Sequence, residues 1–439
     1  MKVKYILLLL YIMSTLQRKK ILNTNKITNI NDIVVIGGGI AGLYICYKMR
    51  NQNKKISCFE MNDVMGGRIK TLRISVNGIK HTVDLGAGRY HKEHYLLRKL
   101  IKDLNLQDKE VTFGSEVNFQ PTNNYHLKDK FKGINGFDMV NKVIEYYNKK
   151  KHSDDYLRKL SFPEYAIKVL TEDEIKFMLD STGYYAELAY ANAYNAIQMY
   201  KNDVRDDMKY CSLKGGLDQI ISNIIQETRN KIDYYNNAVL TQVFYNDDIF
   251  VLNINNKKII TKKLILAIPK QSLMKLNIMK PYFPLLKSVD CQNLTRVYSF
   301  YDPKDVWFDC IGKTTTNNRL RYIIPISPKR GSIMSSYVDT KYAKQWKNVD
   351  KRKLNKIIRD NMDIIFNKKT KSPKYSYIAN WECGVAHWLP GYNSDKISDD
   401  IIQPNTKMSL YVVGENYSKL QAWIEGSLQT SEECLKLIK

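Results

Sequence analysis

The hydrophobic pattern of the chain begins with an apolar run, Asp32-Ile-Val-Val-Ile36, that breaks at Gly37-Gly-Gly39-Ile-Ala-Gly42. A helical stretch follows, then a second apolar run, Lys55-Ile-Ser-Cys-Phe59, ending in Glu60. The pattern predicts strand, glycine turn, helix, strand and terminal carboxylate. Further on, residues 93–104 read as helix. The stretch from about 135 to 228 reads as mostly helical, with helices over Gly136–Lys149, Pro163–Leu170, Glu172–Leu179 and Tyr184–Tyr200. Residues 238–268 alternate like strands around Asn246-Asp-Asp248, a hairpin signal. Strands are also expected over 291–301, 319–338 and Tyr375–Trp381, and a helix over Lys341–Phe366. No internal repeat or low-complexity segment interrupts this order.

The first turn has the chemistry of a dinucleotide site. Gly37 lets the chain turn sharply, Gly39 lets backbone approach a pyrophosphate, and Gly42 lets the helix pack close to the sheet. The helix N-terminus, from Ile40 and Ala41 onward, offers unpaired N–H groups and the positive end of its dipole. Glu60 stands about 20 residues past the turn, where an acid can bind a ribose. Met65-Gly-Gly-Arg68 follows at once. Gly66 and Gly67 would bring backbone, and Arg68 a guanidinium, against phosphate oxygens. His81-Thr-Val-Asp-Leu-Gly-Ala-Gly-Arg-Tyr90 is then a strand entering a second glycine-rich turn, at Gly86, Ala87 and Gly88.

In this order the motifs resemble the flavin-containing amine oxidase family, which includes the monoamine, polyamine and L-amino-acid oxidases. The far end of the chain agrees. Leu410-Tyr-Val-Val-Gly-Glu415 is an apolar strand ending in Gly414 and Glu415, and Trp423-Ile-Glu-Gly-Ser-Leu428 opens a last helix. The resemblance places Glu415 on the ribityl chain of FAD and the helix start, Trp423 and Ile424, on the flavin ring. Lys214-Gly-Gly-Leu217 and Leu264-Ile-Leu-Ala-Ile-Pro269 are less specific landmarks, and Val239 and Trp381 join the cofactor set. The implied fold is α/β: a Rossmann-type FAD-binding domain assembled from residues 31–115, 206–275 and 401–439. It is interrupted by a mainly helical insertion at 116–205 and by an α+β substrate-binding domain at 276–400.

The activity implied by the resemblance is oxidation of a C–N bond. A carbon bearing an uncharged amine gives a hydride to flavin N5. The imine hydrolyses to an aldehyde or keto acid plus ammonia, and O2 reoxidises the flavin to give H2O2. An apolar pocket would favour the neutral amine. The substrate would be a small amine or L-amino acid. Trp423 matches the aromatic that flanks the flavin; at the same place an ordinary buried Trp can begin a helix. Arg89 matches the arginine that holds the substrate carboxylate in L-amino-acid oxidases, and an Arg on such a turn can equally meet phosphate or solvent. Arg296 stands where the family has a lysine that holds a water; it can bind a water but cannot act as a base.

Trp381-Glu-Cys-Gly-Val-Ala-His-Trp-Leu-Pro-Gly391 resembles the segment that reaches the flavin. Cys383 is a candidate for a covalent flavin link, but it lies too close to Trp381, so a buried thiol and non-covalent FAD are favoured. Gly384 replaces a cage tyrosine. His387 and Trp388 are candidates for the substrate pocket.

Net charge of +25 comes from lysines scattered along the chain, with no basic block at nucleic-acid-module spacing. No specific nucleic-acid partner is therefore expected. The seven cysteines form no CxxC pair, so neither a zinc site nor a disulfide framework is expected. Tyr5–Leu16 is apolar between Lys2 and Lys4 on one side and Arg18, Lys19 and Lys20 on the other. It is short of the about 20 residues needed to span a bilayer. A signal core or anchor, placing the protein in the secretory route or on a membrane, stands beside an untargeted extension on a cytoplasmic protein. Two other activities stay open: a desaturase similar to the protoporphyrinogen oxidases, and an FAD-binding scaffold without catalysis. Oligomeric state is not encoded in any motif.

Overall fold

A computed structural model describes residues 30–203 and 209–438. The apolar segment Tyr5–Leu16, with its signal or anchor reading, lies outside them. The first apolar run forms the strand Asn31–Ile36, centred in a seven-stranded sheet. It pairs in parallel with Ile56–Phe59 on one side and Lys257–Leu266 on the other. Ile232–Tyr235 and Leu410–Val412 add further parallel strands outside these two. Ile249–Ile254 and Leu240–Asn246 extend the sheet in antiparallel fashion. Parallel strands are apolar on both faces because both faces are covered. Ile33 and Val35 enter one core cluster, whereas Val34 and Ile36 enter the other. A Rossmann-type sheet is thus built from three separated stretches of sequence.

The helix Ile40–Met49 is buried on nearly every face, between this sheet and the helices Asp218–Thr228 and Ile424–Leu437. Two glycines allow this approach. Gly37 has φ +109°, and a side chain there would run into the Ala267 carbonyl. A side chain at Gly42 would strike the Gly37 carbonyl and Val35. At the other edge, Asp247 and Asp248 take φ +48° and +59°, so the Asn246-Asp-Asp248 hairpin closes as expected.

The second large sheet has six strands, in the order Tyr375–Trp388, Val289–Phe300, Ser332–Asp339, Tyr322–Ser327, Thr314–Thr315 and Asn118–Phe119. The helices between Gly136 and Asp203 form their own apolar cluster beside it.

Several expected elements differ in extent. The helix predicted over Pro163–Leu170 is confined to Phe162–Ala166. Tyr184–Tyr200 divides into Ala186–Ala189 and Ala193–Asp203, because Asn192 between them is held to the Trp388 carbonyl at 2.9 Å. Lys341–Phe366 divides into Thr340–Lys344 and Leu354–Phe366, around a turn capped by Asp350. A strand the helical reading omitted, Lys209–Leu213, pairs with Tyr90–His91 and Glu110–Gly114. The strand predicted to end at Trp381 continues to Trp388.

The cysteine expectation is corrected. Cys291 and Cys383, on neighbouring strands, form a disulfide, so Cys383 is neither a buried free thiol nor a free sulfur for a flavin link in this state. Spacing could not reveal this pair, since 92 residues separate its members.

Ile265 is fully buried in the strand that carries both the N-terminal and C-terminal pairings. Ile265→Ala is expected to cost about 2–5 kcal/mol in urea denaturation of the apoprotein. A loss below about 1 kcal/mol would mean that this strand is not the packed centre described.

Candidate functional site

The residues at the carboxyl ends of the parallel strands enclose a cavity of about 810 Å³. Ligands bind at this end of open α/β sheets, where crossover helices begin. Two helices start on its wall. Ile40–Met49 begins at Gly39 and Ile424–Leu437 at Trp423, and neither start carries a side-chain cap. Their first N–H groups have no acceptor within the helix. They therefore present two positive dipole ends to one space.

Glu60 lies at the end of the second strand, 5% exposed. It accepts from the Gly38 N–H at 2.8 Å and from the Asn62 N–H at 2.9 Å. Met65-Gly-Gly-Arg68 folds back on the first turn: the Gly66 N–H donates to the Gly38 carbonyl at 2.7 Å, and Gly39 bridges Gly66. The Arg68 guanidinium pairs with the Glu415 carboxylate and donates to the Gly384 carbonyl at 3.3 Å. The guanidinium expected to meet phosphate is thus engaged in an internal ion pair. Glu415 is also held by the Asn416 side chain and by the Ala422 N–H at 3.1 Å. Ala422 has φ +66°, a backbone state uncommon for a residue with a side chain, directly before Trp423.

Beyond this end the cavity becomes aromatic. Tyr184, Tyr337, Trp381 and Trp423 line it together with Arg296, Glu187 and Asp339. Trp381 Nε1 donates to the Leu85 carbonyl at 2.9 Å. Trp423 meets His91 and His94 edge-on, with ring centroids 4.4 and 5.0 Å away. Arg296 is buried and donates to the Asp84 carbonyl at 3.0 Å, with its guanidinium 4.5 Å from the Tyr337 ring. Burial opposes its charge, the neighbouring Tyr337 and Tyr298 raise it again, and the guanidinium stays protonated, as an arginine does. Asp339 receives the Tyr185 and Ala186 N–H groups at 3.1 Å. Burial nonetheless pushes its carboxyl up to about 6.

Most of the expected cofactor residues line this single space: Gly37, Gly39, Ile40, Ala41, Glu60, Gly66, Gly67, Arg68, Gly86, Ala87, Val239, Trp381, Gly414, Glu415, Trp423 and Ile424. Gly42 packs beneath the turn, and Gly88 lies next to Arg296 rather than on the wall. Arg89 also stands off the wall. It donates to the Tyr184 hydroxyl at 2.9 Å and lies 4.0 Å from the Tyr210 ring and 5.7 Å from that of Trp423.

His387 and Trp388 are corrected. Their strand follows the cavity only as far as Val385, and they pair beyond it with Asp290 and Val289. Trp388 is fully buried among Leu286 and Tyr417, and its Nε1 donates to the Ser418 carbonyl at 3.1 Å. Burial lowers the His387 imidazole to about 3. Tyr184, Glu187, Tyr337 and Asp339 escaped sequence reasoning because no local motif marks them.

The fit to FAD rests on two uncapped helix starts, on the Glu60 carboxylate beside the first turn, and on a length that passes from glycine backbone to aromatic walls. Residues 35–104 match the family described as NAD(P)-binding Rossmann-like domain. The chain is 22% identical to Aplysianin-A of Aplysia kurodai, over 92% of this chain and 89% of that protein. It is 37% identical to Achacin of Lissachatina fulica, over 19% of this chain and 16% of that protein. It is 22% identical to L-amino acid oxidase Cdc18 of Crotalus durissus cumanensis, over 50% of this chain and 48% of that protein. A redesigned putrescine oxidase shares the fold with a TM-score of 0.72 at 14% identity, covering 93% of this chain and 99% of that one.

Two outcomes are expected. Glu60→Ala should weaken FAD binding by about tenfold, the scale of one charged hydrogen bond. Equal flavin retention on dilution, read by fluorescence, would remove Glu60 from the site. The second concerns pH. Burial holds His387 at about 3, and burial with the neighbouring His91 holds His94 there too, against an ordinary 6.5. Between those values only the unfolded chain takes up these protons. The contribution of these two groups to stability is therefore full above pH 6.5 and falls as the pH drops, by up to about 1.4 kcal/mol per unit for each group. His387→Leu should remove its share of that slope in apoprotein denaturation and leave that of His94; an unchanged slope would contradict the buried neutral imidazole.

Proposed function

We propose that this chain belongs to the flavin amine oxidase family and is an FAD-dependent oxidase of the C–N bond of a primary or secondary amine or an L-amino acid. The observation that carries the reading is the continuous cavity. Glycine turns and two helix starts form one end, and four aromatic rings with two carboxylates form the other. FAD bound there would accept a hydride at N5 and return the electrons to O2 as H2O2.

This chain's own residues then bind, orient and exclude water. The uncapped N–H groups at the helix starts after Gly39 and Trp423 and the Glu60 carboxylate would hold the cofactor, without a covalent bond. Trp381, Trp423, Tyr184 and Tyr337 restrict the reacting carbon to an apolar slot and lower the pKa of an amine inside it. Asp339, with its carboxyl pushed up to about 6 by burial, offers negative charge to an incoming ammonium before it loses its proton. Arg296, fixed by the Asp84 carbonyl, can orient a carboxylate or a water but removes no proton. Arg89 acts from behind Tyr184 and Trp423, as a positioning residue for those rings.

A second reading, dehydrogenation of a C–C or ring C–N bond, is kept open by Arg296, which stands where the resembled oxidases have a lysine. The experiment is anaerobic titration of the purified flavoprotein with L-amino acids, monoamines and polyamines. One class should bleach the flavin bands, and admitted air should yield peroxide. A flavoprotein that no amine bleaches would reject the oxidase reading. With an active substrate, Tyr337→Phe is expected to change kcat/KM less than about threefold, and Tyr337→Ala to lower it by 10- to 100-fold, since the ring rather than the hydroxyl shapes the slot. Equal effects of the two replacements would give the hydroxyl that role instead.

A further inference from the structure

The Cys291–Cys383 disulfide differs in placement from the other cysteines. Cys46, Cys58, Cys211 and Cys434 are buried free thiols, and Cys310 is exposed. The bonded pair is half-buried, and Cys383 lines the cofactor cavity while Cys291 does not. It sits where the two strands slip register, between Gln292 and Leu294. A β-bulge of this kind leaves residues off the backbone ladder and re-aims their side chains. Both sulfurs lie beside Asn416 Oδ1, at 3.7 and 3.8 Å. Asn416 donates to Glu415, Glu415 pairs with Arg68, and Arg68 donates to the carbonyl of Gly384, next to Cys383. The disulfide therefore closes a ring of contacts whose other members form the wall of the proposed FAD site.

We propose that Cys291–Cys383 is a redox-active disulfide, reduced from the cavity side by a small dithiol, and that its reduction weakens FAD binding. The proposal rests on the reading of the cavity as an FAD site. A thiolate of the dithiol attacks Cys383 Sγ, the sulfur on the cavity side. The S–S bond breaks, and Cys291 leaves as a thiolate that takes a proton. The second thiol of the reductant then displaces Cys383 and closes the reductant's own disulfide. Two electrons and two protons pass to the protein, and the dithiol is oxidised. The new thiols are hydrogen-bond donors, and Asn416 Oδ1 is their nearest acceptor. Drawing Asn416 toward them disturbs its bond to Glu415, and through Glu415 the position of Arg68.

Because linkage is reciprocal, the same factor appears twice. If reduction weakens FAD binding about tenfold, bound FAD makes the disulfide about tenfold harder to reduce, about 30 mV for a two-electron couple. The experiment equilibrates apoprotein and FAD-loaded protein in graded mixtures of reduced and oxidised dithiothreitol. Thiols are trapped by alkylation, the fraction of alkylated Cys291 and Cys383 peptides is read by mass spectrometry, and FAD affinity is read by fluorescence in each redox state. The expected result is a midpoint shift and an affinity change of matching size, reversed on reoxidation.

Coincident midpoints with equal FAD affinity would overturn the proposal and leave a bond that only closes a 92-residue loop. Free thiols at both positions in protein purified without reductant would overturn it as well. Absence of FAD binding in either redox state would instead sink the FAD reading, and this proposal with it. Cys291→Ser and Cys383→Ser should each abolish the dithiol response and bind FAD at the reduced level. Tight, dithiol-insensitive FAD binding in these variants would contradict the coupling. The wild-type midpoints decide the matter even where a variant fails to fold.

Discussion

The ion pair between Arg68 and Glu415 joins segments 347 residues apart and closes the cavity on which the rest of the site is built. Glu415 is nearly buried, while Arg68 keeps about a third of its side-chain surface. A carboxylate in such a place must be paired, and removing one partner of a buried pair costs about 3–5 kcal/mol. The partial exposure of Arg68 puts this pair toward the lower end of that range. Its larger consequence is topological. The glycine turns at the start of the chain and the last helix become two walls of one space only when Leu410–Val412 has joined the parallel sheet. The cavity is therefore a product of the whole fold.

That dependence explains which parts were legible in the sequence. Gly37, Gly42, Gly66 and Gly67 are needed by local geometry, close backbone approach or positive φ, and local geometry writes itself in short motifs. The same holds for Gly414 and for the uncapped helix start after Trp423. Tyr184, Glu187, Tyr337 and Asp339 reach the cavity by tertiary approach, from a short helix, the residues just before it and an antiparallel strand. Nothing in their neighbours announces it. His387 and Trp388 failed for a related reason. Their strand runs further than its apolar pattern suggested, past the end of the cavity and into the core beneath the sheet. The disulfide depends on a register slip between two strands, which no linear pattern records.

The net charge of the molecule and the local charges of its cavity act at different ranges. The chain carries +25, yet Glu187 and Asp339 both line the aromatic end. Scattered surface lysines act through solvent and are screened within about 10 Å at ordinary salt. Two carboxylates in a confined, partly apolar space act at close range with far less screening. The local field at the aromatic end is thus set by the lining, in which the Arg296 guanidinium stands beside the two carboxylates.

Arg296 and Arg89 complete that division of labour. Arg296 is held by the Asp84 carbonyl and the Tyr337 ring, so its charge is fixed in position as well as in protonation. Arg89 lies behind Tyr184 and against Tyr210, where its charge reaches the cavity through the aromatic faces. A cation over a ring is worth about 0.5–2 kcal/mol, enough to hold a side chain in one rotamer. Both arginines therefore stiffen the aromatic slot, and a slot that holds its shape is what hydride transfer from a small, flexible substrate requires. The positive charge of these two residues is thereby engaged in holding the rings in place.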